Sequence, residues 1–186
     1  MTHIYFVRHA EPDFSVHDDA CRPLTEKGIE DAKRVQAFFS CIPVDAFYSS
    51  PYRRSIDTIK DAADFHGKTI ITDSDFRERA VSGEWIDDFN SFAQRQWSDF
   101  DFRLPNGESL RETETRNIRA LSAVYAKHEG QTVVIGSHGT AISTIIRHYD
   151  PSFVYSDFKS IQSVMPFVVL FTFQKDRLAG YRFVSI

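Results

Sequence analysis

Two histidines in this chain stand where phosphoryl chemistry could be done. Arg8-His9 follows one short apolar run, and Ser137-His138 follows another. Between them, Ser49-Ser50-Pro51 leads three residues later to Arg54. A phosphoryl group needs fixed cations for its oxygens, and the planar guanidinium of arginine grips them bidentately. It needs a nucleophile in line with the leaving oxygen, and histidine can serve through a covalent intermediate. It also needs a proton donor at the leaving group. Arg8, His9, Arg54, His138 and one carboxylic acid would meet these needs without a metal. His9 must then be unprotonated at its attacking nitrogen. Nearby arginines favour the neutral ring, and a hydrogen bond to the other nitrogen would fix its tautomer.

These residues are useful only if the fold brings them together. His3–Val7, Val44–Tyr48, Lys68–Thr72 and Gln131–Ile135 read as short strands. Thr25–Phe39, Arg53–Phe65, Glu84–Trp97, Glu108–His128 and Gly139–His148 read as helices from their apolar spacing. Val164–Phe173 and Gly180–Ser185 read as a terminal strand pair around Lys175-Asp176-Arg177. Strand–helix alternation with short apolar strands predicts an α/β fold: three α/β/α layers, a mainly parallel central sheet and helices on both faces. Ligands of such sheets bind beyond the carboxyl ends of the strands. Arg8-His9, the Ser49–Arg54 stretch and Ser137-His138 all fall there. The chain reads as a single domain, 1–186, with an insertion at about 73–111 covering that edge. Trp85, Phe89, Phe92 and Trp97 would be the packing face of its helix or an apolar wall of the pocket.

Composition narrows the field. At 186 residues, 42% hydrophobic and 26% charged, the chain can bury a core without staples. Cys21 and Cys41 are too few for a disulfide framework, which points to a reducing, cytoplasmic setting. No apolar run approaches the ~20 residues of a membrane span. A net charge of −4 argues against nonspecific nucleic-acid binding. The expected partner is a small phosphorylated substrate, with no nucleic acid and no membrane. The aromatic-rich C-terminal strand pair would be a sheet edge or the contact of a homodimer. Scattered histidines show no metal-ligand spacing, so no metal and no cofactor are expected. Gly67-Lys68-Thr69 lacks the preceding glycine and strand of a phosphate-binding loop.

Several blocks resemble the histidine phosphatase (phosphoglycerate mutase-like) superfamily. V-R-H-A (7–10) is similar to its R-H-G signature. Y-S-S-P-Y-R-R-S-I-D-T (48–58) resembles its S-S-P-x-x-R segment, P-L-T-E-K-G (23–28) the turn into its first helix, and F-R-E-R (76–79) the segment carrying its acid. P-N-G-E-S-L (105–110) and G-S-H-G (136–139) complete the set, in family order. The resemblance implies a phosphoglycerate mutase-like fold with a helical insertion over the active site. His9 would become a phosphohistidine, and Arg8 and Arg54 would bind the transferring phosphate. His138 would donate a hydrogen bond to a phosphate oxygen. Glu78 would protonate the leaving oxygen and then activate water, so it must hold a proton near neutral pH. Glu11 and Thr25 would line the entrance.

The match has departures. Ala10 replaces the commoner glycine, and Pro12 the usual Ser or Thr. The family acid precedes a glycine by four residues, whereas Glu78 precedes Gly83 by five, which leaves Glu84 as an alternative acid. The asparagine-containing continuation of glycolytic mutases is missing. The function expected is metal-independent hydrolysis of a phosphomonoester. The alternatives are mutase-type phosphoryl transfer, or a non-catalytic module that binds a phosphorylated ligand.

Overall fold

A computed structural model of the chain describes residues 1–82 and 86–186. The elements, in order, are β1 (Thr2–Arg8), α1 (Glu26–Phe39), β2 (Ala46–Ser49), α2 (Arg53–Phe65), β3 (Ile70–Thr72) and a 3₁₀ turn (Ser74–Phe76). There follow α3 (Phe89–Ser98), α4 (Leu110–Lys127), β4 (Thr132–Ser137), α5 (Gly139–Tyr149), α6 (Tyr155–Ile161), β5 (Val168–Gln174) and β6 (Arg177–Val184). The sheet runs β3-β2-β4-β1-β5-β6. Its first four strands are parallel, and β5 and β6 close one edge antiparallel.

Side chains alternate across a strand, so each strand feeds two cores. On one face Ile4, Phe6, Tyr48, Val133, Ile135 and Phe171 pack under residues of α4, α5 and α6. On the other face Tyr5, Val7, Phe47, Val134 and Leu170 meet Val35 and Phe39 of α1 and Ile59 and Ala62 of α2. This is the expected three-layer arrangement, with β1, β2 and β4 buried on both faces and β3 a partly exposed edge. Each fully buried phenylalanine stabilises the fold by about 1.5–3 kcal/mol.

Several boundaries differ from the expectation, each for a local reason. The inserted helix begins at Phe89, where the Asp88 side chain accepts a hydrogen bond from Ser91 N (2.9 Å). The part of the expected helix at Glu84 and Trp85 lies outside the described residues. α4 starts at Leu110, because Ser109 caps it and Glu112 returns a bond to the Ser109 N–H. α6 was not expected at all. It opens with Asp157 accepting from Val154 N (2.8 Å) and buries Phe158. β5 begins at Val168, not Val164, because the preceding segment turns its carbonyls toward Arg8. β6 starts at Arg177, since the hairpin turn is the pair Lys175-Asp176, at φ 49° and 61°.

No helix among the described residues is long and apolar enough to cross a membrane.

Candidate active site

The register of the parallel strands gathers the chemistry. Arg8 lies beside Ser137, and Ser49 beside Gly136. The chain therefore leaves β1, β2 and β4 at one level, at His9, Ser50 and His138. The His9 N–H donates to Ser137 O (3.1 Å), which ties the first strand end to the third.

His9 Nδ1 lies 2.8 Å from Ala10 O. A carbonyl can only accept, so Nδ1 carries the proton and Nε2 keeps its lone pair. Burial, then the charges of Arg54 and Arg8, hold the ring well below the usual histidine range. His9 is thus a neutral imidazole with one nitrogen locked and the other available.

Arg8 is anchored by one end only. Its Nη1 donates to the carbonyls of Ile161 (3.0 Å), Gln162 (2.8 Å) and Val164 (2.8 Å), while its Nε is buried without a partner. Burial pulls the guanidinium down to about 10, opposed by Glu78, and it stays cationic at neutral pH. Its plane lies on the start of α5. A Cβ built on Gly139 would be 3.1 Å from Arg8 Cζ, so glycine lets the cation rest on the helix backbone.

Arg54, on the first turn of α2, is buried, and its Nη1 reaches Asp19 O (2.5 Å) and Oδ1 (3.1 Å). Its Nη2 lies 3.3 Å from His138 Nδ1. Arg53 instead points outward to Asp57 (3.3 Å). His138 is fully buried and does not line the cavity, which differs from the sequence expectation. It faces Arg54 at Nδ1 and Ser50 Oγ at Nε2 (2.8 Å). Arginine only donates, so the ring accepts at Nδ1 and donates from Nε2 to Ser50. Burial and Arg54 keep it well below the ordinary range, hence neutral. The rings of His9 and His138 are 5.2 Å apart.

Glu78 comes from the inserted segment. Its carboxylate accepts from its neighbour Arg79 N (2.8 Å) and from Thr140 N (3.0 Å) in the first turn of α5. A helix N-terminus favours negative charge there. Each carboxyl oxygen of Glu78 is thus placed by one backbone N–H, Oε1 by Arg79 and Oε2 by Thr140. Glu84, the alternative acid, lies outside the described residues.

Arg8, His9, Arg54 and Glu78 line one cavity of about 810 Å³. Its lining is also apolar in part, with Phe14, Val81, Phe89, Phe158, Met165 and Phe167 among the residues. Phe89 thus faces the cavity, whereas Trp97 turns into the core and stacks on Phe158 (5.3 Å). Glu11 and Thr25 do not line it. Thr25 caps α1 through Gly28 N (3.0 Å) and donates to Glu11 Oε1 (3.0 Å), so both side chains serve the local turn. Sequence reading missed Asp19, which braces Arg54, and the α6 segment, which anchors Arg8. The apolar pair Phe158 and Ile161, three apart after Asp157, was the available signal. It also missed Arg116, whose guanidinium lies behind the Glu78 segment.

Residues 4–179 match the model of the histidine phosphatase superfamily (branch 1). The chain belongs to this superfamily. It is 29% identical over 141 residues to 2,3-bisphosphoglycerate-dependent phosphoglycerate mutase 2 of Gloeobacter violaceus, covering 69% of the chain and 64% of that protein. It is 26% identical over 159 residues to the probable phosphoglycerate mutase GpmB of an Enterobacter strain, covering 78% of the chain and 74% of that relative. In fold it is similar to a mycobacterial glucosyl-3-phosphoglycerate phosphatase complexed with VO3, with a TM-score of 0.79 at 17% identity over 99% of this chain and 98% of that one. The superfamily is enzymatic and contains both phosphatases and mutases.

Proposed function

We propose that this protein hydrolyses a phosphomonoester through a phosphohistidine on His9. One observation carries the reading: the Nδ1–Ala10 bond leaves a neutral Nε2 lone pair on His9, which lines a cavity together with Arg8 and the buried Arg54. In the first step Nε2 attacks phosphorus, the bond to the leaving oxygen breaks, and protonated Glu78 gives that oxygen its proton. In the second step Glu78 takes a proton from water, and the oxygen of that water attacks phosphorus. The P–N bond then returns its pair to His9 and inorganic phosphate leaves. Arg8 and Arg54 hold the transferring oxygens throughout. His138 braces Arg54 from behind. Its other ring nitrogen is held by the Ser50 hydroxyl, so the ring stays fixed behind that arginine. The apolar wall receives the alcohol part of the ester. The cysteine usage supports a cytoplasmic location.

Mutase-type transfer is the second reading, favoured by the names of the curated relatives. The missing asparagine-containing continuation after the histidine supports hydrolysis. The test is hydrolysis of p-nitrophenyl phosphate in excess chelator by wild type and His9→Ala. The wild type is expected to turn over and the variant to be silent. Equal turnover, or activity abolished by chelator, contradicts the mechanism. No turnover by either protein puts the mutase reading ahead.

A further inference from the structure

Glu78 follows the 3₁₀ turn in residues 77–82, which form no helix or strand, yet a general acid must be held to a fraction of an ångström. The fixing comes from α4 and the residue before its cap. Arg116 is buried in the second turn of α4. Its Nη1 donates to Asp75 O (2.7 Å) and Arg77 O (2.8 Å), and its Nη2 donates to Glu78 O (3.2 Å). Two carbonyls before the acid and the acid's own carbonyl thus converge on one guanidinium. Glu108 closes the other side, where its Oε2 accepts from Ala80 N (3.0 Å). The same carboxylate binds Arg116 at Nε (2.9 Å) and Nη2 (3.1 Å), and accepts from Arg77 Nη2 (2.7 Å). Burial pushes the Glu108 carboxyl up, but Arg116, Ala80 N–H and Arg77 outweigh it and hold it low.

A buried ion pair is weak evidence for stability, because desolvation offsets the attraction. This pair spends its hydrogen bonds on the backbone of residues 75–80 and thereby surrounds Glu78 on both sides. We infer that Glu108 and Arg116 are positioning residues for Glu78: they place its carboxyl at the leaving oxygen without touching substrate. The inference rests on the assignment of Glu78 as the acid in the proposed hydrolysis. Neither residue lines the cavity, and none of their hydrogen bonds goes to Arg8, Arg54 or His9.

A misplaced acid has a signature that a general loss of structure lacks. Protonation matters greatly for an alkoxide leaving group and little for p-nitrophenolate, whose negative charge is stable. Glu108→Gln is expected to lower kcat/KM for glycerol 2-phosphate by about 10- to 100-fold, part of the 10²–10⁴ that general acid catalysis supplies. For p-nitrophenyl phosphate the change should be under about threefold. Inhibition by inorganic phosphate, which reports the arginines, should hold. In a Glu78→Gln background the same substitution should add no further loss, as two residues acting through one group must behave. If Glu108→Gln fails to fold, Arg116→Lys keeps the charge but loses the fork that gathers three carbonyls, and should give the same split between esters. Equal losses for both esters, or an additive loss in the Glu78→Gln background, would overturn the positioning role alone. A wild type that cleaves neither ester would overturn the proposed hydrolysis and this assignment with it.

Discussion

Lowering the pH should destabilise the protein well before its carboxylates titrate, and the effect should trace to the site. His9 and His138 are both buried and held neutral, by burial first and by the neighbouring arginines second. In the unfolded chain each titrates near 6.5. Below that value the unfolded state binds protons that the folded state refuses, so stability falls as pH falls, from about 6.5 down to the depressed folded values. Between pH 7.5 and 5.5 each such histidine costs on the order of 1 kcal/mol, and the two together about twice that. For a chain of this size that corresponds to roughly 5–10 °C in Tm. The assay is urea denaturation of wild type and His9→Ala at both pH values without phosphate, which would bind the folded state and mask the loss. The variant lacks one of the two groups, so its loss should be about half that of the wild type. Wild-type stability that is flat over this range, or an identical loss in the variant, would refute the neutral buried nucleophile on which the mechanism depends.

Three further outcomes follow from the same geometry. Arg54→Lys removes the fork that spans Asp19 and His138, and should cut kcat/KM for p-nitrophenyl phosphate by about 10- to 100-fold while the circular dichroism spectrum holds. Gly139→Ala puts a methyl 3.1 Å from Arg8 Cζ; competition by inorganic phosphate should weaken, with little change in the affinity of an apolar alcohol product. Thr25→Ala should leave kcat/KM unchanged, because Thr25 is off the cavity, yet lower stability by about 1 kcal/mol through the lost cap, read as a shifted urea midpoint.

What the sequence determined is what short-range chemistry determines. Apolar runs bounded by turns gave the strands, 3.6-residue spacing gave most of the helices, and Arg8-His9, Ser50 to Arg54 and Ser137-His138 fell at strand ends, where a parallel sheet places its site. The choice of Arg54 over Arg53 was also legible, from spacing after Ser49-Ser50-Pro51 within a resembling motif. Helix α6 was less so, since seven residues with one buried phenylalanine leave little periodicity to read. Long-range pairing was not legible at all. Nothing local says that carbonyls of residues 161, 162 and 164 close on Arg8, or that Asp19 braces Arg54. Nor does it say that Thr25 and Glu11 satisfy each other away from the cavity, or that Glu108 and Arg116 fix the segment holding Glu78. Sequence spacing names groups able to do chemistry. Which of them share a cavity depends on contacts between residues as far apart as 8 and 164, and only the packed sheet and its covering helices bring those together.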